Sequence, residues 1–329
     1  MIIINHIIIV FMKKYIITLI GVCNIYFAIS QTNNYINYYL KVHSADYYPN
    51  LYKEQKNRFL IADSIYNDAF KMVAFVHPND YFAAAINACK MDSLEKAKNY
   101  LICTIETGFP INEVKNFKGI KPLKKSKYWS EYKKEYKKGR KVYAEKVDKK
   151  LRNRINLMYE NDQKFRNTNS AKKFKKQLIL DSLNLIGIVN LQKEYGKIPG
   201  IKELGFEGMM LLYIIFRHVN EIYTINTLGP QIIEQSKNGD FYPRMGPGII
   251  DYKLFTQVKN KGSYMTRQKY GTQIMRTPKT HTSVIIPVYN FEGIDSLRRT
   301  VGLGPIIETT SAIYDEDLVK KECGNSFEF

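Results

Sequence analysis

Apolar positions recur at helical spacing along most of the 329-residue chain, and only near its end does the period shorten to two. From about Ser64 the stretch IYNDAFKMVAF reads as a helix. Pro78-Asn79-Asp80 reads as a break and a helix start, and DYFAAAINACKMDSLEKAKNYLICTIETGF as two further helices. Tyr81, Ala84, Ala85 and Ala88 make one stripe; Leu94, Ala97, Leu101 and Ile105 make the stripe that faces it. Alanines at such a crossing let antiparallel helix axes approach closely. Gly108, before Phe109, ends the second helix.

The stretch Lys115 to Arg154 is strongly basic, with Trp129, Tyr132 and Tyr136 at helical spacing among many lysines. A solvated helix joining two domains accounts for it, as does a helix whose aromatics pack on a neighbour. Beyond it, a helix carrying Asp162, Gln163 and Arg166 leads into LILDSLNLIGIVNLQKEYG, which breaks at Gly196 and Pro199-Gly200. GMMLLYIIFRHVNEIY is apolar on nearly every side from Met209 to Phe216, the mark of a helix at the centre of a domain, and stops at Arg217-His218. After the loop NGDFYPRMGPG comes helix-like DYKLFTQV. QKYGTQIM and TSVIIPVY then predict a small β-hairpin around RTPKTH.

The alanine-lined pair resembles a tetratricopeptide-type helical hairpin, with a second hairpin expected upstream from Asn34 to Ala62. Such repeats are usually binding scaffolds. The C-terminal half, roughly Asn153 to Glu308, resembles an uncharacterised bacterial domain family marked by a Tyr-Gly-Thr-Gln box. The resemblance rests on Asp162-Gln163 with Arg166, Asp181 with Asn184, Gly196 with Pro199 and Gly205, and His218. It continues through Asp251, Gln268 with Tyr270-Gly271-Thr272-Gln273, and Arg298-Arg299 before Gly302-Leu303. The family's usual arginine directly after the aspartate is missing, since Tyr252 and Lys253 follow Asp251. The resemblance implies boundaries and candidate residues but no activity.

The expected fold class is therefore mostly α: tetratricopeptide-like helical hairpins over 31–118, a basic linker helix over 119–152, a helical YGTQ-box domain with a small β-hairpin over 153–308, and a tail over 309–329. Residues 1–30 read as a secretory signal, with Met12 as a second candidate start. Two lysines precede an apolar run, and Ala28 and Ser30 suit cleavage after Ser30. An uncleaved anchor and a lipoprotein attached at Cys23 are the alternatives, although Val22 replaces the small residue a lipobox wants. No later segment has the roughly 20 apolar residues of a spanning helix, so the mature chain is expected outside the cytoplasm, periplasmic or extracellular. Export permits a Cys89–Cys103 disulfide; two free, buried thiols are the other reading.

The formal net charge is +19. It favours anionic partners in general, but a chain rich in Lys, Asn, Ile and Tyr acquires such a charge from AT-rich codons, and nucleic acid is not the partner expected. Signatures for zinc hydrolysis, thiol redox, nucleophile elbows and phosphate loops are absent, and no two histidines have helical ligand spacing. No cofactor or metal is expected. The expected function is a binding or scaffold role at the cell envelope, with a protein partner held by the N-terminal hairpins. The alternative is a metal-independent hydrolase or transferase in which His218 is the general base, Asp162 or Asp251 orients it, and Arg166 with Gln273 binds a polar substrate. Gln268, Tyr270, Thr272 and Gln273 either face a ligand or tie the hairpin to the helices, with Thr272 and Gln273 on opposite faces of a strand.

Overall fold

The computed structural model describes residues 34–166, 170–260, 267–309 and 312–323, so the expected signal segment lies outside the described residues. Helices dominate, beginning with α1 (34–51), α2 (Arg58–Phe70), α3 (Pro78–Lys90) and α4 (Leu94–Cys103). Then come α5 (Ile111–Asn116), α6 (Lys121–Lys124), α7 (Tyr128–Lys146), α8 (Lys149–Gln163) and α9 (Ala171–Tyr195). The centre of the fold is α10 (Ile201–Phe216), followed by α11 (Glu221–Tyr223), a π turn at Thr224–Leu228, α12 (Gly229–Ser236) and α13 (Met245–Asn260). Strands β1 (Ile274–Arg276) and β2 (Ser283–Ile285) pair antiparallel with Met275 opposite Val284, and α14 (Ile294–Thr300) and α15 (Glu316–Cys323) close the chain. The chain is mostly α with one small β-hairpin, as its periodicities predict.

The facing stripes form as expected. Ala84, Ala85, Ala88, Ala97 and Leu101 have no exposed surface, and α3 packs along α4. Gly108 adopts φ +82° just after the pair. Cys89 and Cys103 are both free thiols.

The segment over 119–152 is not a solvated connector. It breaks into α6, α7 and the start of α8, and Tyr132 on α7 is fully buried. Tyr143, also on α7, enters the only kind of slot that admits a ring this close to two backbones. A Cβ at Gly108 or at Gly205 would collide with it, and Gly205 holds φ +65° in a kink inside α10. The Tyr143 hydroxyl donates to the Leu204 carbonyl at 3.3 Å. One hydrophobic core runs from Tyr35 through Leu101, Tyr132 and Leu212 to Ile249, across the expected boundary at 153.

Under α1 that core contains ionisable groups. Tyr38 donates to Asp80 in the first turn of α3, and Tyr66 donates to Asp46 on α1. Burial pushes the Asp80 carboxyl up to about 8, despite the Tyr38 hydrogen bond, and nearby Asp46 adds to the rise. Burial pushes the His77 imidazole down to about 3.

These directions fix a stability profile. A carboxyl raised in the folded state stabilises the fold below its ordinary pKa and loses that contribution as pH rises through about 8. Neutral His77 contributes fully above the ordinary histidine value and loses it only at lower pH. Between about pH 6.5 and about pH 8 the wild-type melting temperature should therefore fall. In Asp80→Asn, which keeps an acceptor for Tyr38 and cannot ionise, thermal melts should show less than half that slope.

Candidate functional site

Four segments meet at a buried carboxylate. Asp162 sits in the last turn of α8 with its side chain only 1% exposed, and Arg166 lies just beyond the end of that helix. α9 turns Gln177 and Asp181 inward, and His218 follows the last turn of α10 with its amide on the Ile215 carbonyl. His218 Nδ1 lies 3.0 and 2.9 Å from the two Asp162 oxygens. Arg166 donates to Asp162 at 2.8 Å and also to Asp181. Gln163 donates to Asp162 at 2.6 Å, and Gln177 to the Asp181 carboxylate and the Asp162 carbonyl, both at 2.9 Å.

Burial opposes charge on Asp162, but the hydrogen bonds from His218 and Arg166 outweigh it and hold the carboxyl below its usual range. An ionised acceptor at Nδ1 fixes the proton there and leaves Nε2 with the lone pair. The His218 ring keeps 24% of its side chain open, and Arg166 21%. Lys253 on α13, mostly buried near Asp181 and Arg166, is pushed down to about 8 by desolvation. Arg217 stacks over the Tyr252 ring at 4.2 Å. A base that is held in one orientation, with a partly open guanidinium on the same carboxylate, can take a proton from a nucleophile beside an anionic group.

Asp251 is not part of that cluster. Fully buried on α13, it accepts from the amides of Lys269, Tyr270 and Thr272 at 2.8, 3.0 and 2.9 Å and from the Thr272 hydroxyl at 2.8 Å. Burial pushes this carboxyl up, and the three amides pull against the rise. Both oxygens are occupied by the box, so Asp162 orients His218 and Asp251 does not.

The box itself is a turn and not a strand. Gly271 sits at φ +69°, where a Cβ would run into Ile306, and β1 begins only after Gln273. Its carbonyls are engaged too. Arg298 donates to Tyr270 O at 2.7 Å, Arg244 to Thr272 O at 2.7 Å, and buried Gln268 to Gln273 O at 3.1 Å and Ile286 O at 2.5 Å. Gln268 also accepts from the Gln273 amide, while Gln273 Nε2 reaches the Gly248 carbonyl at 3.1 Å. Tyr270 is packed with Ile233, Ile250, Val301 and Leu303. Of the residues singled out from the sequence, His218, Asp162 and Arg166 converge; Asp251, Gln268, Tyr270, Thr272 and Gln273 form a second, self-contained clasp.

A cavity of about 660 Å³ lies beside that clasp, walled by α1, the loop before α13 and the box. Its polar lining includes His43, Asp46, Arg244 and Glu308. Asp46 opens onto the cavity, yet surrounding protein pushes its carboxyl up to about 6. Sequence reading missed these residues, as it missed Gln177, Arg217 and Lys253. None sits in a local motif, and only inward spacing on α9 hinted at Gln177. Among the described residues no group of three or more His, Cys, Asp or Glu side chains is arranged to hold a metal ion. Comparison with protein-family models, curated proteins and solved structures finds no match to the chain.

The clasp yields a stability prediction. Asp251→Ala orphans three amides, two of them buried, at about 1–3 kcal/mol each, partly relieved by water, so denaturant unfolding should show a loss of about 3–5 kcal/mol. A loss under about 1 kcal/mol would mean that the box holds its turn without the carboxylate.

Proposed function

We propose that the protein is a hydrolase or transferase in which His218 is the general base. The observation that carries this is the pairing of His218 Nδ1 with both oxygens of buried Asp162 while the ring stays a quarter open. Nε2 takes the proton of a water or hydroxyl nucleophile as it attacks, and the Asp162 carboxylate stabilises the imidazolium that forms. His218 then returns the proton to the leaving group. Arg166, which shares Asp162 with His218 and keeps a fifth of its side chain open, is the cation placed to meet an anionic substrate group.

This reading replaces the scaffold role that the helical hairpins suggest from sequence. α4 packs against α7, and the ends of the hairpin region meet the C-terminal half. Phe109 lies 4.7 Å from Phe206 between ring centres, His77 lies 4.9 Å from Tyr242, and Tyr39 donates to the Phe241 carbonyl. The resemblance to the YGTQ-box family brings no activity of its own, so the proposal rests on the dyad. The signal-like N-terminus supports placing this chemistry outside the cytoplasm.

The test is turnover of a panel of p-nitrophenyl carboxylic esters, phosphate esters and glycosides by wild type, His218→Asn and Asp162→Asn, with melting temperatures checked in parallel. Wild type should turn over one class, and His218→Asn should lose about 10²–10⁴-fold in kcat while remaining folded. Asp162→Asn, which favours the wrong imidazole tautomer, should show a comparable loss. Equal turnover by folded His218→Asn would remove His218 from the mechanism.

A further inference from the structure

α9 is built inside out over its first half. The side chains it buries there are Gln177, Asp181 and Asn184, and apolar burial begins only with Ile188 and Leu191. Five of its large apolar residues point the other way: Phe174, Leu178, Ile179, Leu183 and Ile186 are between 50% and 63% exposed. Single exposed apolar side chains are ordinary on a protein surface, whereas five on about three turns of one helix form a continuous patch. Lys172, Lys173, Lys175 and Lys176, all exposed, surround its N-terminal end.

We infer that the outer face of α9 docks on an anionic lipid surface, lying in the plane of the interface. An apolar helical face with a cluster of lysines at one end can sink into the headgroup boundary while its cations meet lipid phosphates. Charge selects this occupant over a second copy of the chain, because two molecules of net charge +19 repel one another while an anionic bilayer attracts each. No described helix is long and apolar enough to cross a membrane, so the contact is peripheral. It does not depend on the chemistry at His218.

The experiment uses the chain from Gln31, which contains every residue of the core described above and omits the apolar N-terminal segment that would itself enter lipid. It is sedimented with vesicles of phosphatidylcholine alone and of an equimolar mixture with phosphatidylglycerol. Wild type should pellet with the mixed vesicles, less so as salt is raised, and not with phosphatidylcholine alone. The triple variant Leu178→Gln, Ile179→Gln, Leu183→Gln alters only exposed side chains and should keep the wild-type melting temperature while binding about tenfold or more weakly. The quadruple variant Lys172→Glu, Lys173→Glu, Lys175→Glu, Lys176→Glu should lose the preference for phosphatidylglycerol. Binding by the triple variant equal to wild type would overturn the proposal, as would no vesicle binding by wild type. A wild-type dimer in sedimentation velocity that the triple variant dissolves would assign the face to a second copy instead.

Discussion

A carboxylate sealed from water must be paired, and Asp162 imposes that requirement on three helices at once. Leaving such a charge without a partner costs several kcal/mol, so α8, α9 and α10 can pack together only in an arrangement that brings Arg166 and His218 to it. The orientation of His218 follows from this, because two carboxylate oxygens at one ring nitrogen leave little choice of rotation or tautomer. So does the character of α9. Holding Arg166 requires Asp181, fixing Asp181 requires Gln177, and a helix that turns those residues inward over its first half leaves apolar residues such as Leu178, Ile179 and Leu183 on the outside. The polar site and the exposed apolar face are two sides of one periodicity.

The second buried carboxylate shows the opposite outcome from the same physics. Asp251 is also withdrawn from water, but its partners are backbone amides and a hydroxyl drawn from one tight turn. Each carboxylate oxygen is saturated and Asp251 itself is shut off from solvent, so the arrangement fixes the box on α13 and leaves no carboxylate lone pair for a substrate. The Asp162 cluster differs in ending on two side chains, His218 and Arg166, that remain partly open. What separates a tie from a candidate site here is whether the carboxylate's partners are backbone groups of one turn or side chains with acid–base chemistry of their own.

Much of the helical framework was legible along the chain. The alanine stripes of α3 and α4, the all-round apolarity of α10 and the break at Pro78 follow from local pattern and proline geometry, and each lies where periodicity places it. The pairing of Asp162 with Arg166 could be read from their spacing. The box was harder, because a strand and a clasped turn share its composition; the choice was made by Asp251, 19 positions before Tyr270, whose carboxylate bends the backbone around itself. The basic helix misled for a related reason. Its lysines describe the solvent side of α7, and its burial is set by Tyr143 entering between Gly108 and Gly205, residues far from it in the chain.

The sequence by itself determined most of the helices, the position of the hairpin and the list of residues able to do acid–base chemistry, because propensity, periodicity and the kind of group each side chain carries are properties local to the chain. Only the tertiary structure decided which aspartate serves His218, which side of α9 is inside, and that one core joins the two halves. Those choices depend on desolvation: a charge or an apolar surface acquires its cost or its value only when a distant segment removes it from water, and no local pattern records which segment that will be.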